Sequence, residues 1–527
     1  MRFFRIILPV IFFLLVFSTC NKRDEKKHQE DKSKYGGTLR LMQDVPYSLD
    51  PLFMRNVYES TILNQIFNGL LDLDDNLNIV PDIAKYWEIS GDRKIYKFYL
   101  QDNVFFHNGR KVTAKDFVYT FKRILNFSKK EDFLGIEYLQ LIEGAQDFLN
   151  NKTKEISGLK IIDSLTLEII LTEPCTPFLT VLSMNNFSVV PKEEVENNPN
   201  FSSSPVGTGP FKFSSWKENE YIILEAYEKY FEGRPFLDTL IFYIPQHFTY
   251  DEEIDKFIRG ELDVTYVSSK RLGEIKNSKR YKVFNRPELS IYFLGINRNI
   301  APFNDEKLRK AIFYAIDNKK FDVIYGTSRL SAHGFIPPGL LGYDPAHTHK
   351  YYNLDSAKKF LEEFKINFNG KIPRLKLFTV SGNEENEIKK DLAGIGLEVD
   401  VVGLKWIELT KSLDKKSLPM FTLGWVADFP DPDAFFYSLI HSSGSANFFH
   451  LKNKKIDSLL VLGKKENNTN YRVDIYQKIE KELESEAVII PLYYGMNTVA
   501  THNYVNDFNI TSLGFMNINL KKVWIQK

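Results

Sequence analysis

The 527-residue chain is 43% apolar and 26% charged. That is the balance of a folded globular protein, and at ~150 residues per domain it has length for about three. Its 69 Lys and Arg against 68 Asp and Glu leave a net charge of +1, whereas a nucleic-acid binder shows a basic excess; 14% aromatic content and only two cysteines exclude a disordered chain and a disulfide or zinc scaffold.

The chain opens with MRFFRIILPVIFFLLVFSTC, in which Arg2 and Arg5 precede an apolar run, Ile6–Phe17, broken only by Pro9. A spanning helix needs about 20 apolar residues, so this shorter run has signal-peptide proportions. Ser18 and Thr19 then lead to Cys20, followed at once by NKRDEKKHQEDKSK. The order of charge, apolar run, small residues and cysteine resembles a bacterial lipoprotein signal. Phe17 stands where that signal most often has Leu, and Thr19 where it has Gly or Ala. The resemblance implies a signal peptide over 1–19, lipid on Cys20, and a charged tether over 20–34 at the extracytoplasmic (periplasmic or outer) membrane face; the alternative is an ordinary signal or an uncleaved anchor.

The folded body is expected from Tyr35. Gly37–Gln43 reads as a strand and Ser60–Leu71 as a helix. Tyr96–Leu100 alternates as a strand, Val104–Arg110 turns at Asn108–Gly109, and Thr113 begins a helix as part of a near capping box with Asp116. Leu159–Leu171 reads as a hairpin around Asp163–Ser164, stopped by Pro174 and Pro177. Strands are expected over Glu220–Glu225 and Thr239–Pro245, helices within Phe303–Asn318 and over Leu354–Phe364. Leu375–Val380, Glu398–Val402 and Met420–Trp425 read as strands separated by helices, followed by a helix over Tyr471–Ser485 and a strand over Val488–Tyr494. The alternation predicts mixed α/β lobes.

No catalytic template fits: HExxH, GxSxG, GxxxxGK[ST] and a complete GxGxxG are all missing from the sequence. Pro210 removes a donor that a phosphate cradle at Gly207–Gly209 would need, so this reads as a tight turn. His347 and His349 lack an evident third metal ligand, and Cys175 reads as a buried, inert thiol. The informative segment is GWVADFPDPDAFF, Gly424–Phe436. It delivers Asp428 just past a strand end, beside the flat wall of Trp425, in a loop stiffened by Pro430 and Pro432. A carboxylate beside an aromatic wall suits an organic ammonium group. The competing reading is that Asp428 or Asp431 caps the helix Asp433–Leu439.

Ten segments in order resemble the oligopeptide-binding proteins of ABC importers, within the peptide/nickel class of extracytoplasmic solute-binding proteins. Among them are YSLDP (Tyr47–Pro51), VFFHNGRKVTAKDFVYTFKRI (Val104–Ile124), VGTGPF (Val206–Phe211), INRNIAPFNDEKLRKAIFYAID (Ile296–Asp317), GWVADFPDP (Gly424–Pro432) and IIPLYY (Ile489–Tyr494). The resemblance implies an α/β three-lobe clamshell with mixed sheets and a hinge, and no enzymatic activity. Lobe I would comprise 35–71, 176–287 and 490–527, lobe II the insertion 72–175, and lobe III 288–489. It also implies an oligopeptide bound between lobes I and III and delivered to importer permease subunits by a monomer, without cofactor, metal or nucleic acid. Residue by residue, Asp428 matches the partner of the peptide amino terminus, Trp425 and Trp406 match aromatic pocket positions, and Tyr266 a position near the ligand main chain. Thr422 stands where a basic residue is familiar, Val267 and Ser268 where two Asn often follow, and Arg55 where Glu often faces the cleft. Ser268 is retained as a candidate ligand contact. Lys415, Lys416 and Arg55 are candidates for a positive charge. The alternative is the same scaffold binding another solute, such as a dipeptide, a metal chelate or an oligosaccharide.

Overall fold

The computed structural model describes residues 32–128, 135–325, 329–346, 352–368, 370, 372–380 and 383–527. The expected signal peptide, Cys20, most of the tether, and His347 with His349 lie outside the described residues.

Sheet-forming segments from distant parts of the chain meet in three bodies. In the first, Thr38–Met42 pairs in parallel with Thr239–Tyr243, which continues antiparallel to Tyr221–Ala226 and then Phe211–Lys217. Its core joins Leu39, Ile62 and Ile66 to Leu224, Leu240 and Phe242, and to Phe508, Phe515 and Val523 near the C-terminus. No strand of this sheet comes from residues 43–210, which build elsewhere. The second body is a four-stranded antiparallel sheet, ordered Ala84–Ile89, Ile95–Leu100, Thr166–Ile170, Leu159–Asp163. The helix Ala114–Ser128 shares its core through Phe117, Phe121 and Ile124. Asp116 accepts from the backbone N–H of Thr113, as the capping pattern predicts, and is held in turn by both terminal nitrogens of Arg110.

The third body is a mixed eight-stranded sheet. Ser290–Ile296 lies between Met420–Val426 and Ile489–His502, antiparallel to both; Leu375–Thr379 runs parallel to Val399–Gly403, and its ladder pairing with Met420–Val426 is limited to Phe378 opposite Phe421. The helices Asn383–Gly394 and Trp406–Asp414 connect these strands as expected.

Two element boundaries differ from the sequence reading. The first helix is Val57–Ile66, because the Asn56 side chain accepts from the N–H groups of Tyr58 and Glu59 and so starts it early; Leu71 belongs instead to a hairpin, Leu71–Leu73 with Ile79–Pro81. The last strand runs on to His502. Beyond Tyr494 it leaves Ser290–Ile296 and pairs with Tyr281–Pro287 and Val264–Tyr266, so its second half is fixed by neighbours far away in sequence.

Gly207 and Gly209 are required by close approach. A Cβ at Gly207 would stand 2.0 Å from the Ile66 carbonyl oxygen, and one at Gly209 2.5 Å from that of Gln65. This turn is where the second body attaches. The His107 N–H donates to the Gly207 carbonyl, and the His107 Nε2 lies 2.9 Å from the Gly209 carbonyl oxygen. Burial drives the His107 pKa down to about 4, so the ring is neutral at pH 7 and donates through Nε2. Cys175 is fully buried and burial pushes its thiol pKa up, away from reactivity.

Candidate ligand cleft

Asp428 stands just past the end of a strand that is paired along the whole of one edge. Met420–Val426 is held along one edge by Ser290–Ile296, and the Ala427 N–H extends that pairing to the Leu289 carbonyl. The Trp425 indole N–H donates to the Ala434 carbonyl at 3.0 Å, tying strand to following helix across the loop. Asp431 accepts from the Asp433 N–H and receives Arg472 through two nitrogens at 2.6 and 2.8 Å. Arg472 in turn reaches the Gly463 carbonyl and the Tyr476 hydroxyl. Asp433, inside the helix Asp433–Ile440, accepts from the Tyr138 hydroxyl at 2.6 Å, and the Phe429 ring packs edge-on against Tyr138. The N-cap itself is Pro432, without a side-chain cap, and Asp431 just before it takes the first helical N–H, so Asp428 has no part in starting the helix.

Among the described residues Asp428 has no hydrogen-bond or ion-pair partner, although it is only partly exposed. Burial, and after it the negative charge of Glu137, push its carboxyl up to about 7. It lines a cleft of about 420 Å³ together with Met54, Arg55, Val426, Met516 and Asn186. Asn186 is 2% exposed; its amide nitrogen donates to the carbonyls of Pro51 and Met54, and its Oδ1 is buried without a partner. The cleft therefore presents one carboxylate and one unused amide acceptor, an arrangement that a positively charged donor would satisfy.

From Asp428 an open backbone edge leads away. Because Leu375–Thr379 pairs with the strand only at Phe421, the edge from Thr422 to Val426 has no strand partner among the described residues. Beside it lies a second cavity of about 340 Å³, lined by Trp406, Tyr292, Tyr493, Arg329, Glu385 and Thr422, among others. Gly424 makes its wall possible: a Cβ there would meet the Tyr292 ring at 2.6 Å. With the glycine, Tyr292 lies over the strand and stacks on Tyr493, centroids 4.7 Å apart.

Residues 78–447 match the family described as bacterial extracellular solute-binding proteins, family 5 middle. The chain belongs to this family. Family 5 proteins bind solutes and are not enzymes. The chain is 27% identical over 491 residues to the periplasmic oligopeptide-binding protein OppA of Salmonella typhimurium, covering 88% of this chain and 87% of that one. It is 28% identical over 506 residues to the dipeptide-binding protein DppE of Bacillus subtilis, covering 92% and 91%. It is also 27% identical over 533 residues to the heme-binding protein A of Haemophilus influenzae, covering 95% and 96%. Among solved structures it superposes on the oligopeptide-binding protein AppA of Bacillus subtilis, in complex with a nonapeptide, with a TM-score of 0.77 at 22% identity, over 94% of this chain and all of that one. The periplasmic-binding-protein architecture expected from the ordered motifs is therefore the fold of this family 5 chain.

The candidate residues distribute unevenly over this family 5 cleft. Asp428 lines the first cavity and Trp406, 60% exposed at the start of its helix, lines the second. Trp425 acts as a staple for the loop. Tyr266 is half-buried against Phe515, centroids 4.8 Å apart, and Ser268, whose Oγ is buried without a partner, precedes the helix Ser269–Lys276; neither lines these two cavities. Arg55 lines the Asp428 cleft. Lys415 and Lys416 sit past the end of Trp406–Asp414, away from both cavities, and the cation at the second cavity is Arg329. Asn186, Arg329 and Glu385 were not legible in the sequence, since each belongs to no motif and gains its place only by long-range packing. Among the described residues no group of His, Cys, Asp and Glu is arranged to hold a metal.

Proposed function

We propose that the protein is a lipid-anchored extracytoplasmic receptor that binds oligopeptides and delivers them to an ABC importer. The observation that carries this reading is Asp428, an unpartnered carboxylate at the end of an open strand edge. A peptide offers the complement of both features. Its ammonium group pairs with Asp428, with Asn186 Oδ1 as a second acceptor. Its extended backbone adds to the edge Thr422–Val426, which reads N–H and C=O groups common to all peptides. The aromatic-walled cavities then receive side chains. The names of OppA, DppE and AppA agree with a peptide ligand.

In this reading residues 35–71, 176–287 and 490–527 form lobe I, 72–175 lobe II and 288–489 lobe III, with ligand held between I and III. Tyr266 and Ser268 would approach the ligand as lobe I closes, Trp406 and Trp425 would frame it from lobe III, and lipid on Cys20 would hold the monomer at the membrane. A dipeptide ligand is the second reading, favoured by the likeness to DppE.

The test is titration calorimetry with matched free-amino and N-acetylated tetrapeptides. The free-amino peptide binds the parent protein at least ~10-fold more tightly, in keeping with a charge-assisted bond of ~1.5–3 kcal/mol. Asp428→Ala abolishes most of that difference. Equal affinity of the parent protein for the two peptides overturns the assignment, and tight binding of dipeptides but not tetrapeptides selects the second reading.

A further inference from the structure

The second cavity has an acid at its floor whose charge the protein does not answer. Glu385 is 2% exposed. Its Oε1 accepts from the hydroxyls of Thr379 and Thr422 at 2.5 and 2.7 Å, while its Oε2 is buried with no hydrogen-bond partner. The two hydroxyls are neutral and leave the carboxylate's charge uncompensated. A buried carboxylate oxygen left unpaired is costly, on the order of 1–3 kcal/mol or more for a charged group.

One cation does line the cavity, but it is engaged elsewhere. The Arg329 guanidinium lies 4.9 and 4.7 Å from the ring centroids of Tyr292 and Tyr493, and it interacts with the charge of Glu384. The Tyr493 hydroxyl, between them, donates to Glu384 at 2.9 Å. Arg329 and Glu384 thus offset each other through the tyrosine pair, and the cavity keeps the one negative charge of Glu385. Its outer wall is the exposed indole of Trp406, a face suited to a cation or to the methylenes leading to one.

We infer that this cavity is a specificity pocket for a lysine or arginine side chain of the bound peptide, with Glu385 as the residue that selects it. The inference rests on the peptide-receptor reading and deepens it. The near lining of the pocket, Gly424 and Leu423, lies two and three strand residues back from Val426, ~7–10 Å at ~3.3 Å per residue, so a peptide anchored at Asp428 with its first residue opposite Val426 brings its third or fourth side chain to the pocket.

The experiment compares Ala-Ala-Ala-Ala with tetrapeptides carrying Lys, norleucine or Glu at position three and, separately, four. Titration calorimetry is run on the parent protein and on Glu385→Gln, with thermal melts to verify that the variant is folded. At one of the two positions the parent binds Lys at least ~10-fold more tightly than norleucine, and Glu more weakly than either. Glu385→Gln loses most of the Lys preference, read as the ratio of Lys to norleucine affinities. Equal binding of Lys and norleucine at both positions, or a Lys preference unchanged in Glu385→Gln, overturns the specificity pocket and leaves the receptor reading standing. Failure of the parent protein to bind any of the free-amino peptides overturns both. If the glutamine variant does not fold, Thr422→Lys supplies the same test: the introduced ammonium pairs with Glu385 and abolishes the Lys preference, and an unaltered preference overturns the inference.

Discussion

Asp428 carries a conflict between stability and binding that can be measured. Its carboxyl sits at about 7 in the ligand-free protein against ~3.9 in an unfolded chain, so between those values the folded state holds more protons. Stability of the free protein therefore falls as pH rises through that window. Asp428→Asn should raise the melting temperature of the free protein at pH 8, a gain on the order of 2 kcal/mol, while weakening free-amino peptides. Binding has the opposite pH sense. An ammonium partner needs the ionised carboxylate, so affinity drops by up to ~10-fold per unit as pH falls below about 7, and it plateaus before the peptide amine itself deprotonates near ~8. Calorimetric titrations from pH 5.5 to 8 check this; a flat profile would show that Asp428 does not pair with the ligand. The neighbouring Asp431, only three residues on, shows why a motif does not assign roles by itself. Both carboxylates belong to the same loop, but Arg472, 41 residues away in sequence, claims Asp431 and leaves Asp428 to the cleft.

At the scale of elements, two sequence motifs 100 residues apart turn out to be one joint. VFFHNGR and VGTGPF meet where the His107 backbone and ring both contact the turn at Gly207–Gly209. Gly207→Ala drives a methyl group into the Ile66 carbonyl and should cost at least ~2 kcal/mol, read as a lower urea midpoint. The same joint contributes acid sensitivity. The His107 pKa lies at about 4 in the folded protein and near 6.5 when unfolded, so the unfolded state takes up more protons between these values, and stability falls as pH drops through the window. The loss reaches up to about 3 kcal/mol. Urea melts at pH 7 and 4.5 measure it, and a His107→Gln variant that keeps the full pH slope would place the acid sensitivity elsewhere. The helix at Val57–Ile66 and the strand end at His502 were misplaced for related reasons. Asn56 is one of many polar residues until its side chain is seen to cap, and VATH, Val499–His502, has no strong strand pattern until two other segments pair around it.

The whole molecule is joined at its third body by few continuous strands. Ile489–His502 pairs at one end with Ser290–Ile296 and Arg329–Ser331, and at the other with Tyr281–Pro287 and Val264–Tyr266. The chain also passes directly from Tyr281–Pro287 into Ser290–Ile296. In the proposed receptor these crossings would serve as the hinge, because a ligand contacting both sides only in the closed form would shift the population toward it. Small-angle scattering should show a smaller radius of gyration on adding a free-amino tetrapeptide, and no change with its acetylated counterpart at equal concentration. Identical scattering with and without saturating peptide would exclude closure as the mechanism.

The sequence by itself determined the family, the mixed α/β character and most strands and helices, since these follow from local hydrophobic period, capping patterns and the order of short motifs. It also singled out the loop that carries Asp428. Only the tertiary structure decided which aspartate is free and that Trp425 ties the loop together. It alone showed the strand edge open beyond Phe421, and Asn186, Arg329 and Glu385 gathered around the cleft. Those facts depend on side chains from distant segments sharing space and charge, and no local pattern encodes such pairings.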